Sequence, residues 1–382
     1  MSRVGEIKFV FFCFLIWRAS TFFVNYIASL VLPYRVGSDF TLFLLDPKVA
    51  KVINNVVIGP LANFDGIHYL SIALNGYTTD ARFFPLYPLL VRLITNLVGG
   101  KSIEVFFIIS ILVSNLLFFL SLVFFYKLVK LDYSQKVARL SVIFLLLFPT
   151  SFFYGAVYSE SLFFLLAVLS FYFAKQEKWF LAILFATALA LTRIVGLLII
   201  PALIYEYFRG QNQRHFFKLA IFLTPFISLV GYSVFNYQKW GDWLYFIHNQ
   251  GELANGRSTS GIIFFGQTIY RYFKIFLDAN RSYEWWIALL ELGSFVLGAG
   301  LIYLIYKKSL IKSYLIYSIL LFLLPISTGT FSGLPRYSVV IFPIFIALAL
   351  VKSKTFRLTY VVISILLSGL LITLFARGYY VS

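Results

Sequence analysis

The polar residues that could carry chemistry are concentrated in one stretch of this chain, residues 63–90, NFDGIHYLSIALNGYTTDARFFPLYPLL. It contains a carboxylate (Asp65), an imidazole (His68), a phenol (Tyr69) and a guanidinium (Arg82). A carboxylate can act as general base toward a hydroxyl when its neighbours hold it within reach. These residue types therefore fit proton removal from a hydroxyl nucleophile, with positive charge available for an anionic leaving group.

A short helix over residues 66–74 is predicted to position these groups. It begins after Asp65 and stops at Asn75-Gly76, which is a good C-terminal signal. Helical spacing places Asp65 on the same side as His68 and Tyr69. Such a helix is too short to cross a bilayer, so it should lie on the outer surface. Asp65 could instead simply cap the helix, and the spacing leaves both interpretations open.

A phosphate leaving group on a lipid carrier would require Arg or Lys, and three arginines are candidates: Arg82, Arg193 and Arg336. Arg193 interrupts the apolar run ATALALTRIVGLLII, and Arg336 precedes Tyr337 in SGLPRYSVVIFP. A charge inside a membrane span is costly and indicates a functional site by default. The structural alternatives are that Arg193 pairs with Glu160 and that Arg82 is merely solvated.

The segment FPTSFFYGAVYSESLFF, residues 148–164, is a second predicted outer turn. Pro149 and Gly155 loosen the helix end, and Tyr158 and Glu160 bring polar atoms to the edge of the bilayer. Hydroxyls and a carboxylate at one turn fit sugar binding. They also fit an ordinary helix–helix connection, which is the commoner use of such residues.

The composition excludes a soluble domain. Of 382 residues, 61% are hydrophobic and 12% are charged, whereas soluble domains carry roughly a quarter charged residues. Repeated apolar runs that suit about 30 Å of hydrocarbon predict an all-α polytopic membrane protein. The net charge of +17 comes from short clusters between the runs. Short Lys and Arg clusters of this kind mark the cytoplasmic loops of membrane proteins, and their distribution argues against nucleic acid as a partner.

About eleven membrane spans are predicted, in one membrane domain over residues 1–382. They lie near 9–31, 103–126, 139–158, 160–174, 179–192, 194–208, 216–237, 285–306, 313–328, 337–351 and 358–376. The basic clusters and the N-terminus then fall on one face, the cytoplasmic one. Two long loops, 32–102 and 238–284, fall on the other side. The run 83–98 is interpreted as an interfacial or re-entrant segment, because two prolines and Arg92 weaken a spanning helix.

No metal motif is present: HExxH, paired cysteines and Asp-x-Asp do not occur. The sequence therefore predicts no metal site. It also has no glycine-rich phosphate loop, so it is not built for a soluble nucleotide. A sugar donor carried by polyprenyl phosphate in the bilayer meets the need for an activated substrate, and no further cofactor is expected.

The ordered set of motifs resembles the PIG-V type of mannosyltransferase. The set consists of FDGIHYLSIALNGY, FFPLYPLL, FPTSFFYGAVYSESLF, LTRIVGLL, GDWLYFIHNQ and LPRYSVVIFP, within about residues 60–345. The resemblance implies the GT-C glycosyltransferase fold, whose enzymes use dolichyl- or polyprenyl-phosphate sugars. It assigns catalysis to the acid of the first outer loop, here Asp65. The family usually has Trp before that Asp, where this chain has Phe64.

We therefore expect an inverting glycosyltransferase that moves mannose or a related hexose from polyprenyl phosphate to a lipid-linked or glycan acceptor. It would act on the outer face of a prokaryotic plasma membrane, with Asp65 as base. The expected substrate-binding residues are His68, Tyr69, Arg82, Tyr158, Glu160, Arg193, Arg336 and Tyr337. The alternative is a transporter or flippase of a lipid-linked sugar, which needs a similar pocket but no base. The inverted repeats typical of many transporters are not visible in the sequence.

Overall fold

The protein is all-helical in the part of the chain that the structure describes. The computed structural model describes residues 3–35, 55–78, 80–209, 216–253, 258, 261 and 263–381. The α-helices in chain order are α1 (Arg3–Val31), α2 (Asp65–Asn75), α3 (Leu86–Leu97), α4 (Ile103–Asp132), α5 (Gln135–Leu146), α6 (Glu160–Ala174), α7 (Trp179–Ala190), α8 (Ile200–Arg209), α9 (Thr224–Trp240), α10 (Tyr245–Leu253), α11 (Phe265–Asp278), α12 (Tyr283–Lys307), α13 (Lys312–Ile326), α14 (Leu334–Tyr337), α15 (Pro343–Ala349) and α16 (Lys354–Ala376). Short 3₁₀-helices lie at Gly59–Ala62, Ser151–Gly155, Ile194–Ile199, Phe216–Leu223 and Ser338–Val340. The predicted all-α class is confirmed.

Five helices within the described ranges are long and apolar enough to cross a bilayer by length and composition. They are Val4–Val31, Ile103–Asp132, Leu219–Trp240, Tyr283–Lys307 and Lys354–Ala376. Shorter apolar helices are α3, α6, α7 and α13. Helices are suited to hydrocarbon because they satisfy their backbone hydrogen bonds internally. The prediction of a polytopic helical membrane protein is confirmed, whereas the count of eleven spans stays a prediction.

Two of the predicted spans are interrupted by buried backbone that is not α-helical. The run 139–158 is helical only in α5, and the 3₁₀ turn Ser151–Gly155 follows. Pro149 lacks an N–H donor, which explains why the helix does not continue. The run 337–351 is divided in the same way. The short helix α14 ends at Tyr337, the 3₁₀-helix Ser338–Val340 follows, and α15 begins at Pro343. Irregular backbone is tolerated at membrane depth where protein covers it, and the 3₁₀ segments of both runs are buried.

The two predicted outer loops are described in part. Residues 36–54 and 79 of the loop 32–102 lie outside the described residues, as do 254–257, 259, 260 and 262 of the loop 238–284. The first loop contains α2 and α3, which confirms the short helices predicted there, and the second contains α10 and α11. A single domain over 1–382 stays a prediction.

The chain forms two compact units, of which the first comprises the described residues within 1–78, 85–168 and 349–381. In this unit α1 packs against α4 and α16, and α2 packs against α3 and α4. Aromatic rings fill much of its core; the rings of Phe118 and Tyr154, for example, stack with centroids 4.3 Å apart. This packing supports the helix that begins with Asp65.

The second unit comprises the described residues within 79–84 and 169–348. Here α9 packs against α7, and α13 packs against α8 and α12. The buried Glu206 of α8 accepts a hydrogen bond from Ser313 Oγ at 2.7 Å, and Lys175 Nζ lies 3.4 Å from its other oxygen. The short helix α14, which carries Arg336, packs against α12 and α13.

Gly298 of α12 sets how closely α13 can approach, because a Cβ built at Gly298 would overlap the ring of Phe322. Small residues allow such close approach between membrane helices. The Phe322 ring is itself stacked on Phe295, with centroids 5.8 Å apart. We expect Gly298→Ala to lower the free energy of unfolding by about 1–3 kcal/mol through overpacking. Thermal unfolding of the detergent-solubilised protein measures this.

Gly300 on the same helix provides the matched control. A Cβ built there has no neighbouring heavy atom within 4 Å. Gly300→Ala should therefore be neutral or stabilising by up to about 1 kcal/mol, because Ala is the better helix former. An equal loss of stability in both variants would contradict the role assigned to Gly298.

Candidate active site

The chain bends sharply into α2 immediately before the predicted base. Phe64 has a φ of 57° and a ψ of −120°. Non-glycine residues rarely adopt positive φ, and such strain costs on the order of 1–3 kcal/mol unless the surroundings enforce it. Asp65 occupies the first helical position, where the helix dipole stabilises a carboxylate. It is not at the N-cap position that the capping interpretation assumes, which belongs to Phe64.

Buried hydrogen bonds hold this bend in place. Asn63 Nδ2 donates to the carbonyl of Phe375 at 2.9 Å, and the Tyr158 hydroxyl donates to the carbonyl of Asn63 at 2.8 Å. The Phe64 ring packs on Phe375 with centroids 5.6 Å apart. Tyr158, predicted to bind substrate, is itself buried. It therefore fixes the backbone next to Asp65.

Tyr69 links α2 to the segment just before α6. Its hydroxyl lies 2.8 Å from Ser159 Oγ and shares a hydrogen bond with it. Its ring meets the ring of Tyr87 edge-on, with centroids 5.2 Å apart. Beside this contact the N–H of Val157 donates to the carbonyl of Leu61 at 2.8 Å. Side-chain and backbone bonds thus tie the two segments together.

These contacts lie next to Asp65 in the chain or on its helix, and we call the following group the Asp65 cluster: Asn63, Asp65, Tyr69, Tyr158 and Ser159. Asp65 is half-buried, and so is His68, which follows it on α2. Glu160 is the first residue of α6 and is completely buried. Partial exposure leaves Asp65 and His68 accessible to a bound molecule, whereas the side chain of Glu160 has no exposed surface.

Two residues of α1 that no motif includes hold the turn before Tyr158. Trp17 Nε1 donates to Ser151 Oγ at 3.0 Å, and Arg18 Nη2 donates to the carbonyl of Gly155 at 3.1 Å. A Cβ at Gly155 would overlap the Arg18 guanidinium, so glycine permits this approach. Arg18 is 7% exposed and lies within a candidate span. A buried intramembrane arginine is the sequence signal that could have identified it.

The helix α2 ends as predicted, at Asn75 followed by Gly76, whose φ is 82°. Arg92 of α3 satisfies carbonyls in its last turn. Its Nε donates to the carbonyl of Ala73 and its Nη2 to that of Leu74, both at 2.8 Å. A basic side chain at a helix C-terminus also interacts favourably with the dipole. Arg92 therefore stabilises the helix that carries Asp65.

In the second unit the structure brings three predicted substrate-binding residues together. The Arg193 guanidinium carbon lies 5.6 Å from the centroid of the Tyr337 ring, and that of Arg336 lies 5.5 Å from the same centroid. Cation–π attraction contributes about 0.5–2 kcal/mol per contact, depending on burial. Arg336 is 7% exposed and Arg193 is half-buried. We call these two arginines the arginine pair.

Arg82 also belongs to the second unit, in its segment within residues 79–84. Its guanidinium carbon is 4.7 Å from the centroid of the Phe83 ring, and its segment is anchored by the Tyr232 hydroxyl, which donates to the carbonyl of Ala81 at 2.6 Å. The predicted contact of Arg82 with substrate stays a prediction.

A carboxylate–imidazole pair lies at the turn after α9. The His248 side chain is exposed there, and its Nδ1 lies 2.6 Å from Asp242 Oδ2. This hydrogen bond, together with the N–H of Leu244, lowers the pKa of the Asp242 carboxyl. Asp242 Oδ1 accepts from the N–H of Leu244 at 2.9 Å, so the pair stabilises a local turn.

The described residues include no group of three or more His, Cys, Asp or Glu side chains that could hold a metal ion. What they do provide is an accessible carboxylate on a braced helix start and, in the second unit, two guanidinium groups around one phenol ring. The first can take a proton from a hydroxyl. The second can bind a phosphate through charge-assisted hydrogen bonds.

These groups lie on an all-helical scaffold that includes five described helices long and apolar enough to cross a membrane, so the fold defines a polytopic membrane protein. The chain belongs to the mannosyltransferase (PIG-V) family, whose model matches residues 4–253. This match includes Asp65, Tyr158 and Arg193 and ends before Arg336. Membership confirms the resemblance to this family. No curated protein sequence matches the chain.

Among solved structures the chain is similar to the oligosaccharyltransferase of Archaeoglobus fulgidus. The form tethered with an acceptor peptide is 12% identical with a TM-score of 0.42, covering 96% of this chain and 55% of that one. The apo form is 11% identical with a TM-score of 0.45, covering 95% and 56%. The form with Zn and sulfate is 11% identical with a TM-score of 0.42, covering 95% and 53%. The chain thus spans about half the length of that protein.

Proposed function

We propose that this protein transfers a mannose, or a related hexose, from a polyprenyl-phosphate carrier to a lipid-linked or glycan acceptor. The observation that carries the proposal is Asp65, an accessible carboxylate at a strained and braced helix start, in a chain of the mannosyltransferase (PIG-V) family. Strain of this kind is found where a site must be held in one geometry. Catalysis by a general base has that requirement.

The proposed reaction is a single displacement. The oxygen of the acceptor hydroxyl attacks C1 of the sugar, and the bond between C1 and the phosphate oxygen breaks. The hydroxyl proton passes to the Asp65 carboxylate, and the leaving group is the polyprenyl phosphate. One displacement inverts the anomeric centre, whereas a double displacement through an enzyme nucleophile would retain it.

The arginine pair is assigned to the donor phosphate. Guanidinium groups match phosphate geometry through two parallel hydrogen bonds, and they stay charged at any working pH. Each group also lies within cation–π distance of the Tyr337 ring, which helps to orient it. The donor phosphate is already anionic before the bond to C1 breaks, so this contact binds the substrate and the transition state alike and sets the affinity for the donor.

The remaining predicted residues receive different roles. Tyr158 and Tyr69 act as supports of the Asp65 cluster, because both hydroxyls are engaged in buried hydrogen bonds. His68 follows Asp65 on the accessible side of α2 and is assigned to the acceptor or the sugar. Arg82 and Glu160 stay candidates for substrate contact on the basis of residue type alone.

We further propose that the N-terminus is cytoplasmic and that the reaction takes place on the extracytoplasmic side of a prokaryotic plasma membrane. The basis is the positive-inside rule applied to the Lys and Arg clusters between the apolar runs. Lys127 and Lys130 near the end of α4, Lys307 at the end of α12 and Lys354 at the start of α16 are examples.

The test supplies radiolabelled polyprenyl-phosphate mannose to the purified protein in proteoliposomes, with membrane extract as the source of acceptor. The expected result is labelled product together with free polyprenyl phosphate. In right-side-out vesicles an added mannosidase should release the label. Movement of intact donor across the bilayer without release of lipid phosphate would instead establish a flippase and overturn the proposal.

A further inference from the structure

The helix α11 has one buried face, and Tyr272 is at its centre. Tyr272 is 2% exposed, whereas Leu277 on the same helix is 82% exposed. The Tyr272 hydroxyl donates to Glu291 Oε2 at 2.5 Å and accepts from the N–H of Phe331 at 2.9 Å. Thr330 Oγ1 lies 3.2 Å away. A phenol has one donor and two acceptor positions, so this hydroxyl is fully used.

Glu291 is the other half of this contact. It is 7% exposed and lies in α12, one of the candidate spans. A carboxylate at such a position is costly unless it accepts hydrogen bonds. Burial, and then the Glu291 carboxylate, raises the pKa of the Tyr272 phenol, so its O–H is retained as a donor. The pair is therefore a stable connection between α11 and α12.

The connection extends to the turn that precedes α14. Arg271 Nη1 donates to the carbonyl of Gly329 at 2.9 Å, and the N–H of Ser332 donates to Thr330 Oγ1 at 3.1 Å. The Phe331 ring stacks on Phe295 of α12 with centroids 4.6 Å apart. Each part of the turn is thus held by a different contact.

The position of the arginine pair depends on this turn. Gly333 has a φ of 80°, and its carbonyl accepts from the N–H groups of Arg336 at 3.1 Å and Tyr337 at 2.9 Å. The helix α14 covers only Leu334–Tyr337. A helix of this length is not stable alone, so the contacts at its start set its place.

We propose that Tyr272 and Glu291 are positioning residues of the donor-phosphate subsite, which hold the turn before α14 and thereby place Arg336 and Tyr337. This inference rests on the proposed function, in which Arg336 binds the donor phosphate. Neither residue touches the substrate. Their loss should weaken donor binding specifically, and it should do so through Arg336.

The test compares steady-state kinetics of Tyr272→Phe with those of the wild type in proteoliposomes. The KM for polyprenyl-phosphate mannose should rise about five- to hundredfold, because the Phe331 N–H and the Glu291 carboxylate lose their partner. The kcat and the KM for acceptor should change less than about twofold. A merely structural role would lower the amount of active protein, and hence the apparent kcat, at unchanged donor KM. That result would overturn the inference.

Two further comparisons show whether the effect passes through Arg336. In an Arg336→Gln background, Tyr272→Phe should change the donor KM much less than it does alone, since residues that act as a unit are not additive. Glu291→Gln keeps an acceptor for the Tyr272 hydroxyl and should preserve most of the donor affinity, whereas Glu291→Leu should resemble Tyr272→Phe. Fully additive effects, or equal losses in both Glu291 variants, would contradict the inference.

Controls separate folding from positioning. Tyr270→Phe changes an exposed tyrosine of the same helix and should leave the kinetics unchanged. If Tyr272→Phe does not fold, Thr330→Val removes one hydroxyl of the turn at nearly constant shape and should raise the donor KM selectively. An unchanged donor KM in that variant overturns the inference.

Failure of this inference can be told apart from failure of the proposed function. A wild-type protein that releases no lipid phosphate contradicts the proposed function itself. An active wild type together with an unchanged donor KM in Tyr272→Phe contradicts this inference alone.

Discussion

Replacing Asp65 by Asn should lower the rate of mannosyl transfer by about 10²–10⁴-fold, the usual contribution of a general base. Asparagine keeps the size of the side chain but cannot take the proton of the acceptor hydroxyl. The kcat should fall, with little change in the KM for the donor, because the lost interaction belongs to the transition state. Release of polyprenyl phosphate from radiolabelled donor measures the rate.

The folded state should tolerate this change. Asp65 stands in the first turn of α2, where the helix dipole makes a carboxylate worth about 0.3–1 kcal/mol. Each tenfold loss of rate corresponds to about 1.4 kcal/mol of transition-state stabilisation, so the expected kinetic effect is several times larger. Unchanged thermal unfolding together with lost activity would therefore identify a chemical role.

Asp242→Asn is the matched control for Asp65→Asn. Asp242 carries the same chemical group, and its hydrogen bonds are to His248 and the N–H of Leu244 at an exposed turn. Its substitution should leave the transfer rate within about twofold of the wild type, as is usual for surface changes. Wild-type activity of Asp65→Asn, or equal losses in the two variants, would refute the assignment of the base.

The second large effect is expected at the arginine pair. Arg193→Gln and Arg336→Gln should each raise the KM for the donor about 10- to 100-fold, because hydrogen bonds to a charged group contribute about 1.5–3 kcal/mol. The double variant should lose less than the product of the two single effects, because both side chains would bind one phosphate. Donor saturation curves in proteoliposomes measure these constants.

Further variants show what the arginines supply. Arg336→Lys keeps the charge but not the planar pair of donors, and it should lose part of the donor affinity. Tyr337→Phe keeps the aromatic ring on which both guanidinium groups lie and should stay close to the wild type, whereas Tyr337→Leu should not. Arg281→Gln changes an exposed arginine and should have no effect. A donor KM that is insensitive to both arginines would exclude them from the phosphate subsite.

Local signals were sufficient to predict the class of the protein and the short helix that carries Asp65. Long apolar runs require helices in a bilayer, because no water is present to bond the backbone. Asn75-Gly76 ends α2 because glycine adopts the positive φ of 82° without strain. Pro149, which cannot continue a helix, marks where α5 gives way to irregular backbone. Each of these effects acts within a few residues.

Only the tertiary structure decided which distant residues support the candidate site. The Tyr158 hydroxyl bonds the backbone beside the strained Phe64, and Arg193 lies beside the Tyr337 ring. Such contacts join positions far apart in the chain, so no sequence period or spacing encodes them. They depend on how helices pack, and the side chains that pack are chosen by shape and burial as much as by residue type.

The same reason explains why the sequence motifs missed some of the residues that hold the candidate site in place. Arg18 and Tyr272 have no neighbours in sequence that suggest a role, yet one holds the turn at Gly155 and the other holds the turn at Phe331. Composition and patterning thus determined the membrane class and the candidate base. Packing determined what braces that base and what places the arginine pair, because hydrogen bonds between buried groups form only where the folded chain brings both partners together.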